Sequence, residues 1–165
     1  MIIFCSDEQL QVLSTCQMIF MDGTFKTTPR LWSQVYLIKG QIRRGENLFL
    51  AAVMLKSKSA ETYTAMLRRL KVLVLEKTGR NFRPTTIMSD FESGLMPAVR
   101  QELGESQHKG CFFHFSQALL RFVKQPALYK CFFLKLFLKR FKSFQRKHRI
   151  QEKLLYEALT LLLTC

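Results

Sequence analysis

Residues 16 to 25, Cys-Gln-Met-Ile-Phe-Met-Asp-Gly-Thr-Phe, contain an apolar run that ends at Asp22-Gly23. A short apolar run bounded by a turn signal predicts a buried strand, followed here by a turn at Asp-Gly. An acidic residue is therefore expected at the tip of the first strand.

Two more strands are predicted directly downstream. Residues 34–42 are rich in β-branched and aromatic side chains, and residues 48–55 form another apolar run. The polar stretch 43–47 between them predicts a tight turn. The two strands are therefore expected to pair as an antiparallel hairpin.

Helical and strand patterns alternate beyond the hairpin. Apolar positions from Tyr63 to Val74 repeat at three and four residues, and the capping residues Ser59 and Gly79 flank them, which predicts a helix. Further elements are predicted in the order strand 85–89, helix 95–103, strand 109–115 and helix 116–124. The order β-β-β-α-β-α-β-α predicts an α/β fold, a mixed sheet with helices on both faces.

Length and charge limit the classes of function. The 165 residues are enough for one domain with a core, and 26 Lys and Arg against 12 Asp and Glu give a net charge of +14. This charge favours a polyanion such as nucleic acid, although a domain that binds an acidic protein would have the same composition. No apolar run approaches the roughly 20 residues of a membrane helix, and the start lacks a signal-peptide pattern. Five irregularly spaced cysteines favour free thiols in a reducing compartment.

Two aspartates stand where strands are expected to end. Asp22 closes the first predicted strand and Asp90 follows the strand over 85–89. Carboxylates at the tips of neighbouring strands can hold divalent cations between them, and oxygen ligands suit Mg²⁺ or Mn²⁺. Taken singly, each aspartate has a simpler explanation, since Asp is common in turns and at helix N-caps. Together they favour a metal site.

A set of ordered motifs covering residues 20 to about 123 resembles the transposase domain of Mutator-like elements (MULE). Each motif alone is weak evidence, whereas the ordered set is specific. The motifs are Asp22-Gly23-Thr24-Phe25, Lys26-Thr27-Thr28-Pro29, Gln34-Val35-Tyr36, Ser89-Asp90-Phe91-Glu92 and Gly110-Cys111-Phe112-Phe113-His114-Phe115-Ser116-Gln117-Ala118.

The resemblance implies an RNase H-like fold and DDE/D phosphoryl transfer, in which a transposase cleaves the ends of a DNA element and joins them to target DNA by cut-and-paste transposition. It maps the first two catalytic acids, which bind Mg²⁺ or Mn²⁺ in a two-metal site, onto Asp22 and Asp90. It further implies DNA as the partner, no membrane, a nuclear location and a homo-oligomer in a full-length parent.

The resemblance also maps a Cys-x-x-His pair onto Cys111 and His114. A zinc site needs about four ligands, and no second Cys/His pair follows at the required spacing. A thiol that fills the core and an imidazole with one hydrogen bond explain the pair better than zinc does. The family pattern adds a third interpretation, in which the pair lies at the edge of the active site and His114 helps to hold the DNA.

The third acid of a DDE site is not identifiable in the sequence. Glu152 and Glu157 are the acids that follow His114, and each lies in an ordinary amphipathic pattern. Glu92 is expected to support the N-terminus of the following helix through the helix dipole. Whether the chain is an active enzyme therefore stays open at this point.

The composition changes at about residue 125, where Phe, Leu, Lys and Arg begin to dominate. An apolar stripe predicts a basic amphipathic helix, which either follows DNA phosphates or presents a solvated charged face over the sheet. Such a composition is also expected where translation continues past a truncation or a frame break. The residues assigned to nucleic-acid binding are Lys26, Lys135, Lys139, Arg140, Lys142, Arg146, Lys147 and Arg149.

Three segments follow from these observations: an N-terminal lead-in over 1–19, a partial RNase H-like transposase core over 20–124, and a basic helical tail over 125–165 that the family pattern does not match. The competing function is a domesticated or decayed derivative that binds DNA without chemistry. Because one catalytic acid is not identified, we expect these 165 residues alone to bind DNA rather than to cleave it.

Overall fold

The structure is a computed structural model that describes residues 1–24, 28–90 and 92–123. The chain divides into two units, Met1–Phe115 and Ser116–Cys165, and the described part of the second unit is the remainder of one helix. The elements are β1 Ile2–Phe4, α1 Asp7–Thr15, β2 Met18–Thr24, β3 Gln34–Arg43, β4 Glu46–Leu55, α2 Ala60–Thr78, β5 Thr86–Ser89, α3 Leu95–Glu102, β6 Gln107–Gly110 and α4 Phe112–Val123.

The strands form one sheet in the order β1-β4-β3-β2-β5-β6. β2 pairs antiparallel with β3 and parallel with β5, and β6 continues the parallel side. β3 and β4 form the predicted hairpin, with Gly45 at the turn in a left-handed conformation (φ 88°) that favours glycine. Three antiparallel strands followed by two strands parallel to the first confirm the predicted mixed α/β sheet of the RNase H-like type.

One face of the sheet is completely buried. Alternate residues such as Ile19, Ile38, Val53 and Ile87 have no exposed surface, and they share one core with apolar residues of α1, α2 and α3. The residues between them in the strands are only partly buried. The three helices therefore pack on the same face, which is the alternation expected of a strand covered on one side.

The helix α2 has the two ends that the sequence predicts. The Ser59 hydroxyl accepts a hydrogen bond from the Thr62 amide, and Gly79 ends the helix in a left-handed conformation (φ 68°). Its buried residues include Tyr63 and Val74, the limits of the predicted apolar stripe. This helix is the main cover of the sheet, and its N-terminal end lies near the tips of β2 and β5, as described below.

The structure corrects three local predictions. Asp22-Gly23 is not a turn, because β2 continues to Thr24 and stays paired with β3. The strand predicted over 109–115 is wrong: β6 ends at Gly110, and the apolar residues that follow open α4. The elements β1 and α1, within the expected lead-in, were not predicted as regular structure. No helix in the described part is long and apolar enough to cross a membrane.

Candidate functional site

The parallel pairing of β2 with β5 brings two acidic residues to neighbouring strand tips. Met21 and Ser89 are the last paired residues of this ladder. Asp22 follows Met21 within β2, and Asp90 directly follows the last residue of β5. The two acids therefore occupy adjacent positions at the same edge of the sheet, where neighbouring strands lie about 4.8 Å apart. Met21 and Ser89 face the buried core. Because successive side chains along a strand point to opposite faces, the two acids that follow them are expected on the other face of the sheet.

The Asp90 carboxylate is only partly compensated by the protein. Its Oδ1 is buried and has no hydrogen-bond partner among the described residues. Burial raises the pKa of the Asp90 carboxyl, and the negative charges of Glu92 and Asp22 raise it further, while His114 and a hydrogen bond from the Glu92 backbone amide act in the opposite direction. A positive ion beside this carboxylate would offset the repulsion by its negative neighbours and favour the ionised form.

Asp22 is more open to solvent and lies next to an imidazole. Its side chain is 55% exposed, and its Oδ1 lies 3.6 Å from Nε2 of His114. This distance is too long for a direct hydrogen bond but allows an ion pair when the imidazole is protonated. The His114 Nδ1 is buried and finds no partner in the described part of the chain.

His114 reaches this position because α4 begins just before it. The Cys111 amide donates to the Ser89 carbonyl (2.6 Å) and extends the β5–β6 ladder, and the Phe115 amide then donates to the Cys111 carbonyl (3.1 Å) in the first turn of α4. The chain thus changes from strand to helix at Cys111, at the same end of the sheet as Asp22 and Asp90. The Cys111 thiol is free and partly buried.

Sequence reasoning missed the contacts of Glu92. Its carboxylate does not cap α3 but points to the start of α2. Its Oε2 accepts a hydrogen bond from the Tyr63 hydroxyl of α2, and its Oε1 lies 3.2 Å from Nζ of Lys58, which precedes the helix. The predicted support of the following helix comes from the Glu92 backbone instead, because its carbonyl accepts from the Leu95 amide (3.1 Å). The Ser-Asp-x-Glu spacing placed Glu92 near the acids, but its partner on α2 has no signature in the sequence.

The sequence of the chain matches a known protein family. The sequence model described as the MULE transposase domain matches residues 18–118, which is more than half of the chain and includes both acids, Cys111 and His114. The chain belongs to the MULE transposase domain family. No functionally curated protein matches this MULE domain.

A solved structure has a loosely similar fold. The crystal structure of the catalytic domain of Mos1 mariner transposase matches at 10% identity and a TM-score of 0.35, over 72% of the MULE domain chain and 70% of its own chain. At this similarity the fold is assigned from the strand order, and the family from the sequence match. Together the family and the fold support a transposase-type function.

Other predicted site residues lie outside the described part of this MULE domain, so their assignments stay predictions. Within the described residues, no group of three or more His, Cys, Asp and Glu side chains is arranged to hold a metal ion. The residues outside the described part are the two acids Glu152 and Glu157 and the basic residues Lys26, Lys135, Lys139, Arg140, Lys142, Arg146, Lys147 and Arg149.

Proposed function

We propose that this MULE domain belongs to the machinery of metal-dependent cleavage and strand transfer of DNA phosphodiesters in cut-and-paste transposition, in the nucleus, with Asp22 and Asp90 as two of the metal-binding carboxylates and a third acid that completes the site. The observation that carries the proposal is the parallel register, which sets two acids side by side at the strand tips. Like charges at this spacing are unfavourable unless a cation or proton lies between them.

The donor atoms fit a hard divalent cation. The Asp90 Oδ1 is buried without a hydrogen-bond partner in the described residues, which is the state expected of an oxygen reserved for a ligand that the protein itself does not supply. Carboxylate oxygens are the preferred ligands of Mg²⁺ and Mn²⁺, and Mg²⁺ keeps several waters and binds through one or two carboxylates plus phosphate oxygens. Two aspartates therefore suffice to begin such a site.

Each side chain then has a distinct task. Asp22 and Asp90 would hold the cations, which activate a water or a 3′-hydroxyl and stabilise the leaving oxygen of the phosphodiester. His114, at 3.6 Å from Asp22, is the nearest described imidazole to that carboxylate and would help to hold the DNA at the edge of the site. Of the predicted third acids, Glu152 and Glu157 remain the candidates.

DNA is the substrate that the charge favours. A net charge of +14 attracts a polyanion, and each Lys or Arg that neutralises a phosphate makes binding weaken with salt. The Mutator-like family supports the same substrate, since transposase domains act on DNA.

The test uses the 165-residue chain. Electron paramagnetic resonance measures Mn²⁺ binding, and a supercoiled plasmid is the substrate for DNA nicking. We expect Asp22→Asn and Asp90→Asn each to weaken Mn²⁺ binding by at least tenfold, on the order of the loss seen when a metal site is disturbed. Asp7→Asn is the matched control, because Asp7 is an exposed acid that pairs with Lys77 at the far end of α2. It should bind Mn²⁺ as the unsubstituted chain does.

Plasmid nicking separates the two candidate functions. Nicking that requires Mn²⁺ and is lost in both Asp→Asn variants supports phosphoryl transfer by this chain. DNA binding with a steep salt dependence, Mn²⁺ binding at the two aspartates and no nicking supports a metal site that needs a third acid. DNA binding without any Mn²⁺ affinity contradicts the proposal and leaves the DNA-binding derivative as the function.

A further inference from the structure

Glu92 is held at both carboxylate oxygens. The Tyr63 hydroxyl donates to Oε2, and Nζ of Lys58 lies 3.2 Å from Oε1. The Glu92 side chain is only 15% exposed, so water competes weakly for these contacts. A carboxylate with a protein partner on each oxygen is held in one position.

The partner Tyr63 is itself fixed from behind. Its ring is completely buried and packs against the Tyr36 ring at 5.3 Å between centroids. Its hydroxyl accepts a hydrogen bond from Nε2 of Gln34 (2.6 Å), another fully buried residue of β3. Because the amide donates to it, the single hydroxyl proton of Tyr63 is available for Glu92. The chain of bonds thus leads from the sheet through α2 to Glu92.

The backbone near Glu92 is also pressed against α2. A Cβ atom on Gly94 would overlap the carbonyl oxygen of Lys58 and crowd the backbone of Ser59 and Ala60. The loop that follows β5 therefore meets the N-terminal end of α2 at two places, by the Glu92 side chain and by the Gly94 backbone. Asp90 lies two residues before Glu92, at the start of this loop.

We propose that Glu92 is a positioning residue for the acid pair: through Tyr63 and Lys58 it fixes the loop after β5 to the start of α2 and so keeps Asp90 beside Asp22. This inference rests on the proposed function in one respect only, namely that the two aspartates bind a cation. The anchoring of the loop can be measured without any metal.

A second carboxylate that is bound to α2 provides a matched control. Glu102 of α3 is 7% exposed and is bound by Arg68 (2.7 Å) and Lys71 (3.4 Å) of α2. It therefore ties α3 to α2 as Glu92 ties the loop to α2. It stands at the end of α3 that is distant in sequence from Asp90, so its loss should reduce stability without changing the acid pair.

The experiment compares four variants of the full chain: Glu92→Ala, Glu92→Gln, Tyr63→Phe and Glu102→Ala. Hydrogen exchange of the Asp90 and Glu92 amides reports on the loop, and the dissociation constant for Mn²⁺ reports on the acid pair. We expect Glu92→Ala and Tyr63→Phe to speed exchange at both amides by about tenfold and to weaken Mn²⁺ binding by about tenfold, the range for partners that orient metal ligands. Glu92→Gln keeps an oxygen for the Tyr63 hydroxyl and should restore most of both properties.

The outcomes separate the alternatives. Unchanged exchange in Glu92→Ala and Tyr63→Phe overturns the proposal, and so does equal acceleration in Glu102→Ala, which would indicate general destabilisation. Loss of Mn²⁺ binding in both Glu92 variants with normal binding in Tyr63→Phe would make Glu92 a direct ligand, which also contradicts positioning. If the unsubstituted chain binds no Mn²⁺, the proposed function fails, while the exchange rates still decide whether Glu92 anchors the loop.

Discussion

The middle of β2 and β5 and the tips of the same two strands have opposite effects on stability. Ile19 and Ile87 are paired neighbours in β2 and β5, and both are completely buried in the core. Three residues further along the chain from each isoleucine are Asp22 and Asp90, which repel each other. The middle gains stability from burial, whereas the tip gives up stability, which is typical of a functional site.

Buried polar atoms without hydrogen-bond partners are also concentrated near the strand tips. Five buried side-chain polar atoms lack a hydrogen-bond partner in the described part of the chain, and four of them belong to residues at or beside the strand tips. Buried polar atoms without partners are rare in folded proteins, so their concentration at one end indicates a place that the protein has not optimised for stability. The four are Gln34 Oε1, Tyr36 Oη, Asp90 Oδ1 and His114 Nδ1.

The largest effect is expected in the middle of the sheet. Ile87→Ala should lower the free energy of unfolding by about 3 kcal/mol, within the roughly 2–5 kcal/mol typical of a large aliphatic residue truncated in a core. Ile42→Ala is the matched control, because Ile42 is a strand isoleucine that is 48% exposed, and it should cost less than about 1 kcal/mol. Urea unfolding monitored by circular dichroism measures both. Equal losses would mean that burial in this sheet does not determine stability.

A smaller effect of opposite sign is expected at the tip. Asp90→Asn removes a charge that burial and the neighbouring Glu92 and Asp22 disfavour, so the metal-free variant should be more stable at neutral pH by on the order of 0.5 kcal/mol. Asp22→Asn should gain less, because Asp22 is more exposed and lies beside His114. Thermal unfolding in a chelating buffer provides the comparison. A destabilised Asp90→Asn variant would show that the Asp90 charge is compensated after all.

The smallest effect is expected at His108, on the boundary between the two regions. Burial lowers the pKa of the His108 imidazole from its ordinary value of 6.5, and its Nε2 lies 2.7 Å from the Ser89 hydroxyl. The unfolded chain therefore binds this proton at a higher pH than the folded protein does. Stability should be unaffected by His108 above about pH 6.5 and should fall as the pH drops from there toward the lowered pKa of the folded state.

The variant His108→Gln tests this pH dependence. The free energy of unfolding at pH 7.5 and at pH 5.5 should differ less in the variant than in the unsubstituted chain, because the glutamine does not titrate. An unchanged difference would assign the acid sensitivity to other groups, such as the carboxylates.

The strands and the main helix could be predicted because their signals are local. Each of these signals lies within a few neighbouring residues. They are the apolar runs of β2 and β5, the hairpin turn at Gly45 and the capping residues of α2. The turn predicted at Asp22-Gly23 failed because pairing with β3 continues through it, which a local dipeptide signal cannot reveal. A signal for α1 was present, since Ser6 and Gln9 form a capping box, but the short helix has a weak apolar pattern.

The candidate site was predictable only in part. The position of each aspartate after an apolar run indicated that the two acids meet, since parallel neighbours end at the same edge of a sheet. The partners of Glu92 were not predictable, because Tyr63 appears in the sequence only as one member of an apolar helix face. The truncation expected from the composition of residues 125–165 stays a prediction.

The ladder between β2 and β5 also determines where the chain can change length. Each step along a strand reverses the direction of the side chain. Loss of one residue within β5, for example Met88, would therefore turn Asp90 to the face of the sheet that α1, α2 and α3 cover. In the connection over 80–84, the number of residues does not determine which face a side chain points to. This connection can therefore gain or lose residues at little cost in the free energy of folding. Insertions and deletions among relatives should therefore collect in the connections, while the count from the start of each strand to its aspartate is preserved.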